Sequence, residues 1–159
     1  MNRKGVTVEA RKGYVVPVAE APAQTPEPLP EHGGGPPCWR ILLVEDHEDT
    51  ADAMAELLRA RGHRVTVARD LAQARAAALA SAGEIDLVVS DLGLPDGSGH
   101  ELMRELAGRY GLRGIALSGY GMEEDLRKSR ESGFARHLTK PVSPQALEAA
   151  IQQVAPGSK

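Results

Sequence analysis

The chain contains few aromatic residues, a single cysteine and no long apolar segment. Aromatic side chains make up 3% of its 159 residues, so aliphatic side chains have to fill the core. Because Cys38 has no second cysteine to pair with, an internal disulfide is excluded and a cytoplasmic location is expected. No apolar run approaches the roughly 18 residues that cross a bilayer, so we expect no membrane segment. A formal net charge of −3 provides no general basic field, and direct binding to nucleic acid is not expected.

Proline and glycine are concentrated near the start of the chain. Residues 21–30 contain four prolines, and residues 33–37 read Gly-Gly-Gly-Pro-Pro. Proline favours extended backbone and glycine adds conformational freedom, so such a segment does not build a packed core. We therefore predict a disordered leader or linker over residues 1–38, one folded domain over residues 39–155 and a short tail over residues 156–159.

From residue 40 onward, short apolar runs alternate with helical patterns. Each predicted helix follows one of five predicted strands, at residues 41–44, 65–67, 85–90, 115–117 and 135–138. The predicted N-caps of the first, second and fifth helices are Asp49 or Thr50, Asp70 and Ser143. This alternation predicts an α/β fold, a doubly wound five-stranded parallel sheet of the flavodoxin-like (βα)5 type, with strand order 2-1-3-4-5.

Charged side chains follow three of the predicted strands. Asp91 follows the third strand, Glu45 and Asp46 follow the first, and Lys140 follows the fifth. The carboxyl ends of parallel strands meet at one edge of a sheet, so we expect these groups to come together. Asp91 is the candidate nucleophile, because a carboxylate can hold a phosphoryl group as an aspartyl phosphate. Three converging carboxylates repel one another, and a magnesium ion, which prefers oxygen ligands, removes that conflict.

Further positions complete the predicted site. Gly93 can offer its backbone carbonyl to the same cation. Ser118, after the fourth strand, supplies a hydroxyl donor, and Lys140 supplies a compact positive charge for a phosphoryl oxygen. Taken singly, each motif has a simpler interpretation: a capped turn, an acidic helix start, a solvated lysine or a flexible loop. Together, they favour a metal-assisted phosphoryl-acceptor site.

The same residues give the sequence its resemblance to a known family. Over about residues 40–154 the chain resembles the receiver domain of two-component response regulators. The motifs are Ile-Leu-Leu-Val-Glu-Asp at 41–46, Asp-Leu-Gly-Leu-Pro at 91–95 with Gly99, Ser118-Gly119 and Lys140-Pro141. The resemblance implies that Asp91 accepts phosphate from a phosphohistidine on a histidine kinase or a histidine phosphotransfer protein.

The resemblance also implies roles for the neighbours of Asp91. It implies Mg²⁺ as the cofactor, held through Asp46, Asp91 and the Gly93 carbonyl. It implies that Glu45 assists the ion through water. It implies that Ser118 and Lys140 bind the phosphoryl group and relay its arrival.

His137 and Gly93 depart from the residues common at their positions in this family, while Ser118 is a conservative choice. His137 stands in the fifth strand where members often carry a switching Tyr or Phe. Either this smaller, titratable ring switches together with Ser118, or the movement is absent and His137 is an ordinary half-exposed strand residue. The resemblance implies that Gly93, which is smaller than the residue common at its position, and Tyr120 flank the water that hydrolyses the acyl phosphate. We therefore predict that the bulky Tyr120 shields the phosphoryl group and lengthens its lifetime.

The four other histidines show no spacing typical of a zinc site. His32 lies in the predicted leader, and His47 falls near the first turn of the first helix. His63 and His100 are predicted to lie on the surface.

These expectations describe a signalling module rather than an enzyme acting on other substrates. We predict a single-domain response regulator for phosphorelay signal transduction, a monomer or weak homodimer. Its output comes from rearrangement of the Ser118 loop and the helix at residues 123–132 after phosphorylation. Little sequence follows the last predicted helix, so no DNA-binding effector domain is expected. The alternative is a receiver module of a hybrid histidine kinase.

Three other functions compete with this prediction. An aspartate-nucleophile phosphohydrolase would need a second aspartate where Gly93 stands. A flavodoxin-like cofactor binder would need glycines and hydroxyls where Glu45 and Asp46 stand. A pseudo-receiver that only binds partners is disfavoured by the complete acidic set.

Overall fold

The computed structural model describes residues 37–81, 83–119, 121 and 123–155, so most of the predicted leader and the predicted tail lie outside the described residues. The strands are β1 (Arg40–Val44), β2 (Arg64–Ala68), β3 (Leu87–Asp91), β4 (Gly93–Leu94), β5 (Gly97–Ser98), β6 (Gly114–Ser118) and β7 (Phe134–Thr139). The helices are α1 (Glu48–Ala60), α2 (Leu71–Ala80), α3 (Gly99–Tyr110), α4 (Glu123–Glu131) and α5 (Pro144–Val154). Over this part of the chain, no helix has both the length and the apolar content that crossing a bilayer requires.

Five of the described strands form one parallel sheet in the order β2-β1-β3-β6-β7. When the two-residue strands β4 and β5, which pair with each other, are not counted, this is the order 2-1-3-4-5. The predicted doubly wound, flavodoxin-like fold is therefore confirmed. The register pairs Val44 with Ser90 and Asp91 with Leu117, so the ends of β1, β3 and β6 lie level at one edge of the sheet.

Helices cover both faces of the sheet, which is why its central strands are continuously apolar. Successive residues of a strand point to opposite faces. In β1, Leu42 and Val44 pack with residues of α2 and α3, while Ile41 and Leu43 pack with residues of α1 and α5. None of these four is more than 1% exposed. This two-sided core determines where each strand ends, and hence where the residues that follow it lie.

Two of the three predicted helix caps are confirmed. Asp70 and Ser143 each accept a backbone N–H three residues further along. The cap of α1 is His47 rather than Asp49 or Thr50, and its Nδ1 accepts the Thr50 N–H at 3.4 Å. The helix begins early because only three residues separate β1 from α1. Its first turn therefore contains Glu48 and Asp49, acidic residues that the helix dipole favours there.

The surface prediction is wrong for His63, and His100 is half-buried. His63 is 4% exposed, and its Nδ1 accepts the backbone N–H of Trp39 at 3.2 Å. Its Nε2 lies 3.5 Å from Oε2 of Glu148. The Nδ1 atom of His100 lies 3.1 Å from Oγ of Ser132. These partners are remote in sequence, so local polarity does not reveal the burial.

Candidate functional site

Three carboxylates lie together at the carboxyl edge of the sheet. Oxygen atoms of Glu45, Asp46 and Asp91 all lie within 4.8 Å of one another. Glu45 is fully buried, Asp91 is half-buried and Asp46 is exposed. Like charges at this spacing repel one another, and a cation bound among them lowers that repulsion. The structure thus brings together the three acids that the sequence places after β1 and at the end of β3.

The Lys140 side chain reaches this acidic cluster from the end of β7. Its Nζ donates to Asp91 Oδ2 at 2.9 Å and to Glu45 Oε2 at 3.1 Å. The backbone N–H of Lys140 donates to the carbonyl of Ser118 at 2.7 Å, which extends the pairing of β6 with β7 by one residue. A single ammonium group therefore neutralises part of the charge of two carboxylates.

Burial and pairing shift the pKa values of this lysine and its buried partner. Burial raises the pKa of the Glu45 carboxyl, and the hydrogen bonds from the His47 N–H and from Lys140 only partly oppose this. Burial acts to lower the pKa of Lys140, but its hydrogen bonds to Asp91 and Glu45 outweigh that effect and raise it. Lys140 therefore remains charged, and a proton on Glu45 would relieve the crowding of negative charge.

The donor set fits a magnesium ion. Mg²⁺ prefers oxygen ligands and keeps several waters, so it suits a site with one exposed and one half-buried carboxylate. Asp46 and Asp91 provide these groups. Gly93 begins β4, and its N–H donates to Asp91 Oδ1 at 3.3 Å, which places its backbone beside the same carboxylate. Tyr120, the predicted partner of Gly93 in setting the phosphoryl lifetime, lies outside the described residues.

Ser118 and His137 are joined in a chain of hydrogen bonds. Ser118 ends β6 and is 7% exposed. Its Oγ lies 2.9 Å from Nε2 of His137, whose Nδ1 lies 2.8 Å from Oγ of Ser129 in α4. Ser118 pairs with Thr139 across the strands, so His137, two residues earlier, shares its face of the sheet. The alternation of side chains along a strand indicates that Ser118 and His137 can meet. No sequence pattern indicates the contact between His137 and Ser129.

The family model described as response regulator receiver domain matches residues 41–152. This chain belongs to that family. It is 40% identical over 116 residues to an uncharacterised 14.6 kDa protein in the sodA1 3′ region of Leptolyngbya boryana, a match that covers 71% of the chain and 87% of that protein. It is 37% identical over 114 residues to the sensory transduction protein RegX3 of Mycobacterium tuberculosis, covering 72% of the chain and 49% of RegX3. The receiver domain thus spans about half the length of that regulator.

Solved structures give the same result. The non-phosphorylated HemR receiver domain from Leptospira biflexa matches with a TM-score of 0.66 and 32% identity. The match covers 76% of this chain and 96% of the HemR domain. The chain is therefore a receiver domain of the two-component systems in both sequence and fold.

A short hairpin follows Asp91 in this receiver domain. None of the five predicted strands covers this segment, whereas β4 and β5 pair in antiparallel fashion. Asp96, in the hairpin loop, accepts the N–H groups of Leu71 at 2.9 Å and Ala72 at 3.2 Å. The bond from Leu71 is the main cause of a lowered pKa at Asp96. At Gly99, an added Cβ would meet the carbonyl oxygen of Asp91. The hairpin is therefore hydrogen-bonded to the start of α2, and Gly99, the residue after it, lies close against the backbone of Asp91.

A groove of about 850 Å³ lies between α1 and the segment joining β7 to α5. Lys140 forms part of its wall, so the groove adjoins the acidic cluster. The other lining residues, largely apolar, are Asp49, Thr50, Ala53, Met54, Leu57, Pro141, Val142 and Pro144.

Proposed function

We propose that this receiver domain acts in phosphorelay signal transduction by accepting a phosphoryl group on Asp91. The observation that carries the proposal is the cluster of Glu45, Asp46 and Asp91 with the Lys140 ammonium bound to two of its members. A single carboxylate at a strand end often caps a turn. Three carboxylates and one lysine, converging from three strand ends, form instead a site that can hold a cation and an anion side by side.

In the proposed reaction, a carboxylate oxygen of Asp91 attacks the phosphorus atom of a phosphohistidine. A P–O bond forms, the P–N bond breaks, and the donor imidazole leaves with the electron pair of that bond. Lys140 and the N–H of Gly93 each bind one oxygen of Asp91, which orients the nucleophile. After transfer we expect Lys140 to pair with a phosphoryl oxygen, because such charge-assisted bonds are short and strong.

We propose Mg²⁺ as the cofactor. Asp46, Asp91 and the backbone carbonyl of Gly93 would hold it, and Glu45 would assist indirectly from its buried position. When bound, the ion neutralises the carboxylates and the oxygens of the phosphoryl group. Ser118 would donate its hydroxyl hydrogen to the same phosphoryl group, since it ends the strand next to that of Asp91.

We propose that the phosphodonor is a histidine kinase or a histidine phosphotransfer protein, docked in the groove beside Lys140. Met54, Leu57 and Val142 give this groove an apolar surface suited to a partner helix. This position would place a phosphohistidine on the partner helix next to the acidic cluster. The proposal applies equally to a stand-alone regulator and to a receiver module of a hybrid histidine kinase, because both use the same acceptor site.

We also propose that the domain turns over no other substrate. Gly93 has no acid or base where an aspartate-nucleophile phosphohydrolase needs one. The domain would therefore catalyse only its own phosphorylation and dephosphorylation.

Intact-mass spectrometry tests this function. The full chain is incubated with acetyl phosphate and Mg²⁺, and we expect one phosphoryl adduct that is absent in chelator and in Asp91→Asn. Asp52→Asn is a matched control, because Asp52 is an exposed carboxylate on α1, and it should keep the adduct. An adduct that persists in Asp91→Asn contradicts the assignment of the acceptor. Steady hydrolysis of a phosphate ester such as p-nitrophenyl phosphate would favour the hydrolase, and no adduct at all would favour the pseudo-receiver.

A further inference from the structure

The hydrogen bonds of His137 link the proposed phosphoryl site to helix α4. Ser118 Oγ lies 2.9 Å from His137 Nε2, and His137 Nδ1 lies 2.8 Å from Ser129 Oγ. We call these two hydrogen bonds the serine–histidine bridge. Ser118 and Ser129 are 7% and 1% exposed, so neither hydroxyl readily exchanges this partner for bulk solvent. The bridge therefore connects the end of β6 to the buried face of α4 through a single imidazole ring.

The direction of each hydrogen bond in the bridge depends on which ring nitrogen of His137 carries the hydrogen. A neutral imidazole has one N–H donor and one nitrogen acceptor, and each serine has one hydroxyl hydrogen. In one arrangement, Ser118 donates to Nε2 and Nδ1–H donates to Ser129. In the reverse arrangement, Nε2–H donates to Ser118 and Ser129 donates to Nδ1. Only the second arrangement leaves the hydrogen of Ser118 available to another acceptor.

We propose that phosphoryl acceptance selects the Nε2–H tautomer of His137 and thereby reverses its hydrogen bond with Ser129 in α4. The inference rests on the proposed function, because it requires a phosphoryl group at Asp91 that takes the hydrogen of Ser118. Once that hydrogen is donated to a phosphoryl oxygen, the contact between Ser118 and His137 stays a hydrogen bond only if Nε2 is the donor. One proton leaves Nδ1 and one arrives at Nε2, so the charge of the ring does not change.

The reversal matters for α4 because its one buried side chain is that of Ser129, and Ser132 directly follows the helix. Ser129 and Ser132 are 1% and 2% exposed, and Ser132 Oγ donates to the carbonyls of Lys128 and Ser129 at 2.9 and 3.0 Å. A serine hydroxyl within a helix can also donate to the carbonyl one turn earlier. When Ser129 donates to His137, its hydrogen is no longer available to that carbonyl. His137 is thus a positioning residue that relays the state of Ser118 to the hydrogen bonding of α4.

Side-chain ¹⁵N NMR of the histidines tests the tautomer directly. The full chain is labelled at its imidazole nitrogens and recorded with Mg²⁺, with and without beryllium fluoride as the phosphoryl mimic; the variant His137→Gln assigns the signal. We expect the hydrogen of His137 on Nδ1 without beryllium fluoride and on Nε2 with it, and a ring that is already Nε2–H before loading overturns the reversal. His63 is an internal reference, because its Nδ1 accepts the Trp39 N–H and it should stay Nε2–H throughout. A loaded protein in which His137 carries the hydrogen on Nδ1, or populates both tautomers, overturns the inference.

Variants separate this inference from the proposed function. Loading is read from spectral changes that are absent in Asp91→Asn, so a failure to load rejects the proposed function and the inference with it. Successful loading without the tautomer preference rejects the inference alone. Hydrogen exchange of the α4 amides gives a second measure: its response to beryllium fluoride should disappear in Ser129→Ala but persist in Ser132→Ala, which removes an equally buried serine that lies against His100. Equal responses in the two variants contradict a relay through Ser129.

Discussion

Replacing Lys140 with methionine tests how much the acidic cluster depends on its ammonium group. The change removes the two charge-assisted hydrogen bonds to Asp91 and Glu45, at 2.9 and 3.1 Å, and keeps most of the side-chain volume. Such bonds contribute roughly 1.5–3 kcal/mol each. The lysine side chain is 31% exposed, so solvent screening reduces their sum and we expect a loss of about 2–4 kcal/mol.

The expected loss depends on pH, with a sign set by the two pKa shifts. The native pKa of Lys140 is raised, so its contribution is complete below its unfolded pKa and disappears as the pH rises through the native value. In the variant, Glu45 loses a bond that lowers its pKa, so that pKa rises further above the ordinary value. Protonation of Glu45 then offsets part of the cost, and the loss should be smaller at about pH 5 than at about pH 8.

Urea unfolding in the presence of chelator measures this loss through the shift of the midpoint at constant slope. Lys128→Met is the matched control, because Lys128 forms an exposed pair with Glu124 one turn away on α4, at 3.2 Å. Pairs of that kind contribute only about 0.3–0.5 kcal/mol. Equal losses in the two variants, or a loss at Lys140 that does not change with pH, would refute the reasoning.

Three further predictions concern Gly99, Glu45 and Tyr120. Gly99→Ala should lower the free energy of unfolding by about 1–3 kcal/mol, because the new Cβ meets backbone, including Leu92 Cα at 3.0 Å; an unchanged urea midpoint would contradict this. The native pKa of Glu45 is raised, so the folded state holds an extra proton between its unfolded and native pKa values, and stability falls as the pH rises through that window. Glu45→Gln should abolish that fall in pH-dependent urea unfolding, and a variant that keeps the wild-type slope would show that another group titrates. Tyr120→Ala should shorten the lifetime of the phosphoryl adduct measured by mass spectrometry, and an unchanged dephosphorylation rate would reject its shielding role.

The strand ends were predictable because parallel sheets have a simple periodicity. Apolar runs of four to six residues, each followed by a helical pattern, indicate buried parallel strands, and the residue after each run lies at the sheet edge. This reasoning is sufficient to place Glu45, Asp91, Ser118 and Lys140 at one edge of the sheet. The chemistry of these side chains then indicated a phosphoryl-acceptor site.

Features that depend on tertiary partners were not predictable in this way. Asp96 in the β4–β5 hairpin accepts the first N–H groups of α2, and its bond from Leu71 joins residues that are 25 positions apart in the sequence. His47 caps α1 because the connecting turn is short, and an imidazole nitrogen accepts a bond that Ser, Thr, Asp or Asn more often accepts. Ser129 lies on a helix whose other residues are nearly all charged, and its burial against His137 depends on how β7 and α4 pack together.

Chemical trapping of the acceptor tests the central claim most directly. Borohydride reduces an aspartyl phosphate to homoserine, so the full chain is treated with acetyl phosphate and Mg²⁺, reduced, digested and sequenced by mass spectrometry. The account predicts homoserine at Asp91, and at no other aspartate, with loss of the product when Mg²⁺ is chelated. Homoserine at Asp46, or a stable phosphoryl adduct on a histidine or serine with Asp91 unmodified, would contradict it.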